Sequence, residues 1–377
     1  MAENLIVVSA INLRSGGTLS ILNDCLEHLE QFYGDSYKIV ALVHDKKVIE
    51  FRKNIEFIEF PNSINSYLLR IFYEYFYFYF LSKRLSPYLW LSLHDITPNV
   101  QARVRAVYCH NPSPFYRLKL SEAFLDPLFA CFVLFYRFLY GIGIKKNDYV
   151  IVQQDWLRTK FEELYFLPQN KVIVAYPEVR KNSDEITEKL EDKDKGNFAF
   201  FFPSLPRVFK NFEIICEAVS KLERLGKTNF SVVLTIDGTE NRYSKKIVQK
   251  YGSLKCLCFV GLLSRAKVFK YFQGCDCLLF PSKLETWGLP ITEAKCFSKP
   301  ILAADLPYAH ETVGNYDKVL FFDPESVEDL AEKMQQAMLG RFSSQTFPTP
   351  VFPFVNNWKD LFKVLLSAQN GNCESRC

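Results

Sequence analysis

A chain of 377 residues with 49% hydrophobic content is long for one domain and natural for two. A net charge of +4 is too mild to make nucleic acid the expected partner. The 11 cysteines are scattered without a framework, which suits a reducing compartment and argues against a disulfide scaffold. Cys256-x-Cys258 and Cys275-x-Cys277 lie in strand-like runs where alternate residues share a face, so they read as buried free thiols and not as zinc ligands. The start, MAENLIVVSAI, lacks the basic region and long apolar core of a signal peptide. No window offers about 20 uninterrupted apolar residues; the nearest, residues 123–144, contains Asp126, Pro127 and Arg137. The expectation is a cytoplasmic protein, peripheral at a membrane's inner face.

In chain order, residues 5–10 read as a buried first strand. Residues 12–17 form a turn carrying Gly16 and Gly17, and Leu19, Leu22, Leu26 and Leu29 then recur at helical spacing. A Gly-Gly turn between strand and helix lets backbone approach a ligand. Residues 37–43 and 54–60 are further strands. From Phe72 to Phe80 eight of nine residues are aromatic, with Arg70, Lys83 and Arg84 flanking. Two readings stand side by side: a helix buried against the sheet, or an interfacial surface suited to an anionic membrane. Across residues 61–147 ten Lys/Arg face four Asp/Glu. Strand 89–93 leads to His94 and Asp95, and strand 104–109 to His110-Asn111-Pro112-Ser113-Pro114. Both histidines thus sit at strand ends, where open α/β sheets bind ligands. An apolar helix over 123–143 with Lys145 and Lys146 behind it, a strand at 149–152, a helix at 156–164 and a strand at 171–175 complete a first domain, 1–177.

Residues 178–196 are a charged linker or surface loop. They include Asp192-Lys193-Asp194, but no apolar strand precedes that pair, so no metal site is assigned to it. A second domain, 197–342, opens with a strand at 198–202 and a loop carrying Arg207 and Lys210. A helix at 212–225 follows, then strands at 231–236 and 257–260, the latter ending at Gly261-Leu262. A helix at 265–274, strands at 277–280, 300–303 and 319–322, and a helix at 327–338 continue the alternation, which implies a parallel sheet. The tail, 343–377, is Pro/Ser/Thr-rich to 353 and contains a crossover helix at 358–366.

The most informative stretch is 280–311, FPSKLETWGLPITEAKCFSKPILAADLPYAHE. Glu285 falls in the loop at a strand's carboxyl end, and Glu293 about one turn into the next helix. Pro290 suits a first helical position, and the uncapped N–H groups near Gly288 and Leu289 favour a phosphate. Two carboxylates beside an anion-binding helix start fit a ligand with both hydroxyls and phosphates, such as a sugar nucleotide.

Glu285-x7-Glu293 within PSxxExxGLxxxEA, followed by KPILAADLPYAHETVG, resembles the signature of the retaining family-4 glycosyltransferases. The resemblance implies an α/β GT-B fold, two Rossmann-like doubly wound parallel-sheet domains facing across a cleft. It implies that Glu285 contacts the donor sugar, that backbone over Thr286, Trp287, Gly288 and Leu289 contacts sugar and phosphate, and that Glu293 holds the ribose hydroxyls. By the same likeness Gly16 and Gly17 face the donor phosphates, and Gly261 and Leu262 contact the base. Arg207 and Lys210 match the pair that clamps the diphosphate, although Pro203-Ser204-Leu205 stands where many relatives show glycine. HNPSPF resembles the family's acceptor-side loop, which places His110 near the transferred sugar with His94, Asp95 and Asn111 beside it. The expected catalytic set is His110, Arg207, Lys210 and Glu285, with no divalent metal and no cofactor. The implied partners are a nucleoside-diphosphate sugar, a lipid-linked saccharide acceptor of O-antigen or capsule assembly, and an anionic membrane surface. The alternatives are a GT-B sugar-nucleotide epimerase and a non-catalytic sugar-nucleotide-binding subunit.

Overall fold

The computed structural model describes residues 4–14, 16–50, 52–178 and 197–367. The expected linker beyond Glu178, and the Asp192/Asp194 pair with it, lie outside the described residues. The chain divides into two compact units: Met1–Pro114, Phe135–Glu178 and Pro350–Cys377 form the first, and Phe115–Leu134 with Val179–Thr349 the second.

In the first unit, strands β1 (Leu5–Ala10), β2 (Lys38–Val43), β3 (Ile55–Glu59), β4 (Leu89–Ser92), β5 (Val104–Cys109), β6 (Tyr149–Val152) and β7 (Val172–Ala175) build a parallel sheet. In the second, β8 (Phe198–Phe202), β9 (Phe230–Leu234), β10 (Leu257–Phe259), β11 (Cys277–Phe280), β12 (Ile301–Ala304) and β13 (Tyr316–Phe322) do the same, and β14 (Ser343–Gln345) adds an antiparallel edge. The last strand, β15 (Phe354–Val355), returns to pair parallel with β7. The sheet orders are β15-β7-β6-β5-β4-β1-β2-β3 and β10-β9-β8-β11-β12-β13-β14. Chain order reverses at β1 in the first sheet and at β8 in the second. The carboxyl ends beside such a reversal are where a ligand crevice opens.

Both sheets are buried on both faces, so their strands are nearly continuous apolar runs. Along β1, Ile6, Val8 and Ala10 enter one core cluster while Leu5 and Val7 enter another. Phe200, Phe201 and Phe202 are fully buried in the second unit. The crossover helix, Trp358–Leu366, packs Trp358, Leu361, Phe362 and Leu365 into the larger core of the first unit. Its approach is fixed by Arg158, which donates to the carbonyls of Val351 (2.9 Å) and Pro353 (3.2 Å). The two short strands of the tail carried no periodicity that the sequence could reveal.

The expected unbroken first domain, 1–177, differs from the contact grouping, which gives Phe115–Leu134 to the second unit. There Phe129 lies 4.8 Å from the Phe209 ring, and Asp126 pairs with Arg207. The expected helix at 123–143 is interrupted at Asp126, because Pro127 has no N–H to continue a ladder. It becomes Leu120–Leu125 and Pro127–Gly141. With the turn that follows, Pro127–Lys146 is a 20-residue helical stretch containing an 18-residue window of mean hydropathy 1.7, long and apolar enough by length and composition to cross a membrane.

The aromatic stretch also departs from a simple helix. Tyr67–Phe72 and Phe78–Leu85 are α-helical, and Tyr73–Tyr77 between them is a π-turn. Its wider winding presents the Glu74 and Tyr75 carbonyls to Asn99, which donates to them from its backbone (2.9 Å) and side-chain amide (3.2 Å). Both expected faces are present. Phe78 is fully buried, 5.5 Å from Trp90 and 5.4 Å from Phe60, while Leu68, Phe76 and Phe80 are exposed. Of the four paired cysteines, Cys256, Cys275 and Cys277 are buried as expected; Cys258 is exposed, lying on the outward side of the short β10.

Candidate active site

On the second unit, the loops after β8 and β11 converge. The Val208–Lys210 turn ends at Asn211, whose left-handed backbone is held by its side-chain amide donating to the Pro324 carbonyl at 3.0 Å. The Lys283 N–H donates to the Phe209 carbonyl at 2.7 Å, joining the two loops. Lys210 donates to Glu285, which also accepts from the Ser282 hydroxyl at 2.7 Å. One oxygen of Glu285, Oε1, thus accepts from both a lysine and a serine. The Pro203-Ser204-Leu205 departure is accommodated by Thr235, whose hydroxyl accepts from the Ser204 N–H (2.8 Å) and donates to its carbonyl (2.9 Å).

The helix that follows, Leu289–Cys296, starts at Gly288 without a side-chain cap. Gly288 has φ +83°, a conformation that favours glycine, and a Cβ there would press on the Phe280 ring at 3.3 Å. Glu293, from the first turns of this helix, lines a 320 Å³ groove with Leu262, Leu289, Thr235 and Arg265. Burial pushes the Glu293 carboxyl up, and Arg265, 3.7 Å away, pulls against that. Gly261, at the end of β10, has φ +69° and lies so close to Asp237 that a Cβ would meet its carboxylate at 2.8 Å. The second unit therefore gathers Arg207, Lys210, Glu285, Glu293, Gly288 and Leu289 about the β8–β11 reversal, with Gly261 and Leu262 at the β10 end. Trp287 is buried, its indole donating to Thr292 at 2.9 Å and its carbonyl accepting from Thr312, so only its backbone N–H suits the expected role. Thr286 is half-buried.

Neither expected diphosphate clamp is without a counter-charge. Arg207 Nε lies 3.1 Å from Asp126 Oδ2, and Lys210 is bonded to Glu285. Asp126 also accepts from the Phe129 N–H at 3.0 Å as it starts the helix. The Asp126 contact had no signal in the sequence, since 81 positions separate it from Arg207.

On the first unit, Gly16 and Gly17 are exposed at the first turn of the Gly16–Tyr33 helix, beyond the end of β1. At the ends of β4 and β5 the structure corrects two expectations. His94 was expected to face a ligand; it is fully buried, with Nε2 3.0 Å from the Ser9 hydroxyl and Nδ1 3.4 Å from Glu74. Burial, and then Arg70, hold its pKa well down, so it is neutral. Asp95 is also buried and has φ +72°. Its Oδ1 accepts from the His110 N–H (2.7 Å), the Asn111 N–H (3.1 Å) and the Tyr140 hydroxyl (2.8 Å); Oδ2 accepts from Tyr136 (3.2 Å). This carboxylate holds two strand ends together and is too heavily bonded to attack a substrate. Asn111 likewise uses its side-chain oxygen in a local turn, accepting from the Ser113 N–H at 3.0 Å.

His110 is partly buried at the end of β5. Its Nε2 lies 3.5 Å from Asp95, and its Nδ1 is buried with no hydrogen-bond partner among the described residues. Tyr136, Tyr140, Arg70 and Glu74, which sequence reasoning missed, complete this corner. Burial and then Asp95 raise both tyrosines well above the phenol range, so both remain hydrogen-bond donors.

Residues 182–347 match the protein family described as glycosyl transferases group 1. The O-antigen chain mannosyltransferase RfbU of Salmonella typhimurium is 20% identical over 275 residues, 70% of each chain. Among solved structures, the lipopolysaccharide outer core galactosyltransferase WaaB has a TM-score of 0.64 at 12% identity, covering 97% of this chain and 99% of that one. Anabaena Alr3699/HepE in complex with UDP-glucose has a TM-score of 0.55 at 13% identity, covering 97% of both chains. At such identities the likeness shows the fold alone. The chain has the two-domain α/β GT-B fold, and its residues 182–347 match the group 1 glycosyltransferase family.

Proposed function

We propose that the protein is a retaining, family-4 glycosyltransferase that moves a sugar from a nucleoside diphosphate to a hydroxyl of a saccharide acceptor. The observation that carries this reading is the meeting of Glu285, Lys210 and Glu293 with an uncapped helix start at the β8–β11 reversal. Glu293 accepts from the ribose hydroxyls, and Glu285 orients the sugar. Arg207, Lys210 and the N–H groups at Gly288 and Leu289 receive the diphosphate, exchanging their present carboxylate partners for phosphate oxygens.

The bond between the anomeric carbon and the phosphate oxygen breaks with charge building on that oxygen. Preorganised donors there stabilise the transition state more than the ground state. The acceptor oxygen attacks from the same face and passes its proton to the departing diphosphate, so configuration is retained without a covalent sugar-enzyme adduct. Asp95, the acidic residue of the acceptor-side set, has its oxygens committed to four donors, which supports attack by the acceptor itself. Fixed cations take the part that a divalent metal plays in other transferases. His110, whose Nδ1 is buried without a hydrogen-bond partner among the described residues, hydrogen-bonds the reacting sugar.

The acceptor is a lipid-linked saccharide presented at the inner face of a membrane, and the likeness to RfbU, an O-antigen chain mannosyltransferase, supports a place in surface-polysaccharide assembly. Exposed Leu68, Phe72, Phe76 and Phe80, with Lys83 and Arg84 in the last turn, suit contact with anionic lipid. The test is transfer from UDP-glucose and GDP-mannose to acceptor in phosphatidylglycerol vesicles with chelator present. Retained configuration in the product supports the reading. A trapped sugar-enzyme ester, or activity only with added metal, would refute it.

A further inference from the structure

Arg70 and Glu74 belong to no motif, yet they bond each other and His94 in the first unit. Both come from the aromatic stretch, Glu74 from its π-turn. They form an ion pair at 2.8 Å with side chains only 11% and 1% exposed. Arg70 also donates to the His94 carbonyl at 3.2 Å and lies 3.4 Å from His94 Nδ1. Glu74 approaches the same nitrogen at 3.4 Å, and Ser9 holds the opposite one. The residue before Asp95 is thus gripped at its carbonyl and at both ring nitrogens.

Asp95 needs that grip. A left-handed backbone at a non-glycine residue is uncommon and persists where its surroundings support it. From this conformation Asp95 reaches the backbone of His110 and Asn111 on the neighbouring strand. The far end of the same loop is held as well, because Asn99 donates to the carbonyls of the π-turn. One helical stretch therefore clamps the loop after β4 at both ends. A buried ion pair is an expensive way to hold a helix that leucine or methionine would hold as well. Its oriented fork, however, fixes a direction that apolar packing would not.

We propose that Arg70 and Glu74 are positioning residues for the transfer reaction, fixing the His94–Asp95 corner from which Asp95 holds His110. This rests on the function proposed above. It makes the aromatic stretch and the acceptor-side histidine one mechanical piece: displacing the π-turn displaces Asp95, and with it the His110 ring. Glu74 Oε2, buried and without a partner among the described residues, lies in the same cluster.

The test is the double variant Arg70→Met/Glu74→Leu in the full chain, which leaves neither charge buried alone. The protein has five histidines, so the ring nitrogens are resolvable by ¹⁵N NMR. The His94 and His110 signals should both move, while those of His28, His44 and His310 stay. Turnover of UDP-glucose or GDP-mannose, read as nucleoside diphosphate released, should fall about tenfold or more at a donor KM changed less than about twofold. Arg70→Lys should recover part of that turnover. If the double variant fails to fold, Glu74→Gln, which keeps an acceptor for Arg70, carries the same readouts. A folded variant with wild-type His110 resonances and turnover overturns the proposal. A wild-type protein that releases no nucleoside diphosphate overturns the transferase reading instead, and the histidine spectrum still decides the positioning.

Discussion

The donor side of the second unit and the corner at His110 in the first are built in opposite ways. The donor side draws Glu285, Gly288, Leu289 and Glu293 from one short stretch and adds a single loop carrying Arg207 and Lys210. Its charges are paired but partly open to solvent, and its groove joins Leu289, Pro290 and Glu293 of the motif to residues of the loops after β8, β9 and β10. The corner draws Ser9, Arg70, Glu74, His94, Asp95, His110, Tyr136 and Tyr140 from five segments, and most of them are buried. A site that must release its ligand keeps exchangeable partners. A frame that must keep one shape commits most of its polar atoms.

Breaking each side should therefore give different symptoms. The largest effect is expected from Glu285→Ala with Lys210→Ala, which removes the sugar contact and a diphosphate donor together; turnover should fall by about 10³-fold or more in a product-release assay. Next is Asp95→Ala, which strands two N–H groups and two buried hydroxyls. It should cost about 3–5 kcal/mol in denaturant unfolding while leaving donor affinity nearly intact. Glu293→Ala should do the reverse, weakening donor binding by about ten- to a hundredfold with little change in stability.

Two smaller effects sharpen the contrast. Burial pushes the Glu74 carboxyl up to about 7 from an ordinary 4.5, against the pull of Arg70. A carboxyl whose folded pKa is raised contributes full stability below its ordinary value and loses it as pH rises toward the folded one. The wild-type melting temperature should therefore fall relative to Glu74→Gln between pH about 4.5 and 7. A difference that does not change with pH would show that Glu74 stays charged throughout. The smallest effect is expected at Asp126→Asn, which frees Arg207 from a partly exposed pair; nucleoside diphosphate should bind about two- to fivefold more tightly in titration calorimetry.

The same contrast explains what the sequence could disclose. The strand at Cys277–Phe280, the glycine turn, Pro290 and the glutamates lie within a single stretch, so their spacing carried the chemistry. The alternation of strands and helices gave both sheets for the same local reason. The corner was half legible. His110 and Asp95 showed as polar residues at strand ends, but Arg70 and Glu74 were hidden in an aromatic run whose π-turn has no periodic signal. His94 read as a ligand-facing residue because the sequence gives its place at a strand end and not the residues that pack over it. The short strands at Ser343–Gln345 and Phe354–Val355 were invisible because their pairing partners, β13 and β7, decide them.

The proposed function requires Glu285 and Glu293 on the second unit to hold a nucleotide-activated sugar together without metal. The decisive measurement is titration calorimetry of UDP-glucose and GDP-mannose in the presence of chelator, on the wild type and on Glu285→Ala/Glu293→Ala. Saturable binding of at least one donor by the wild type is expected, with a loss of about a hundredfold or more in the double variant. Undiminished affinity in that variant, or wild-type binding that appears only when a divalent ion is restored, would contradict it.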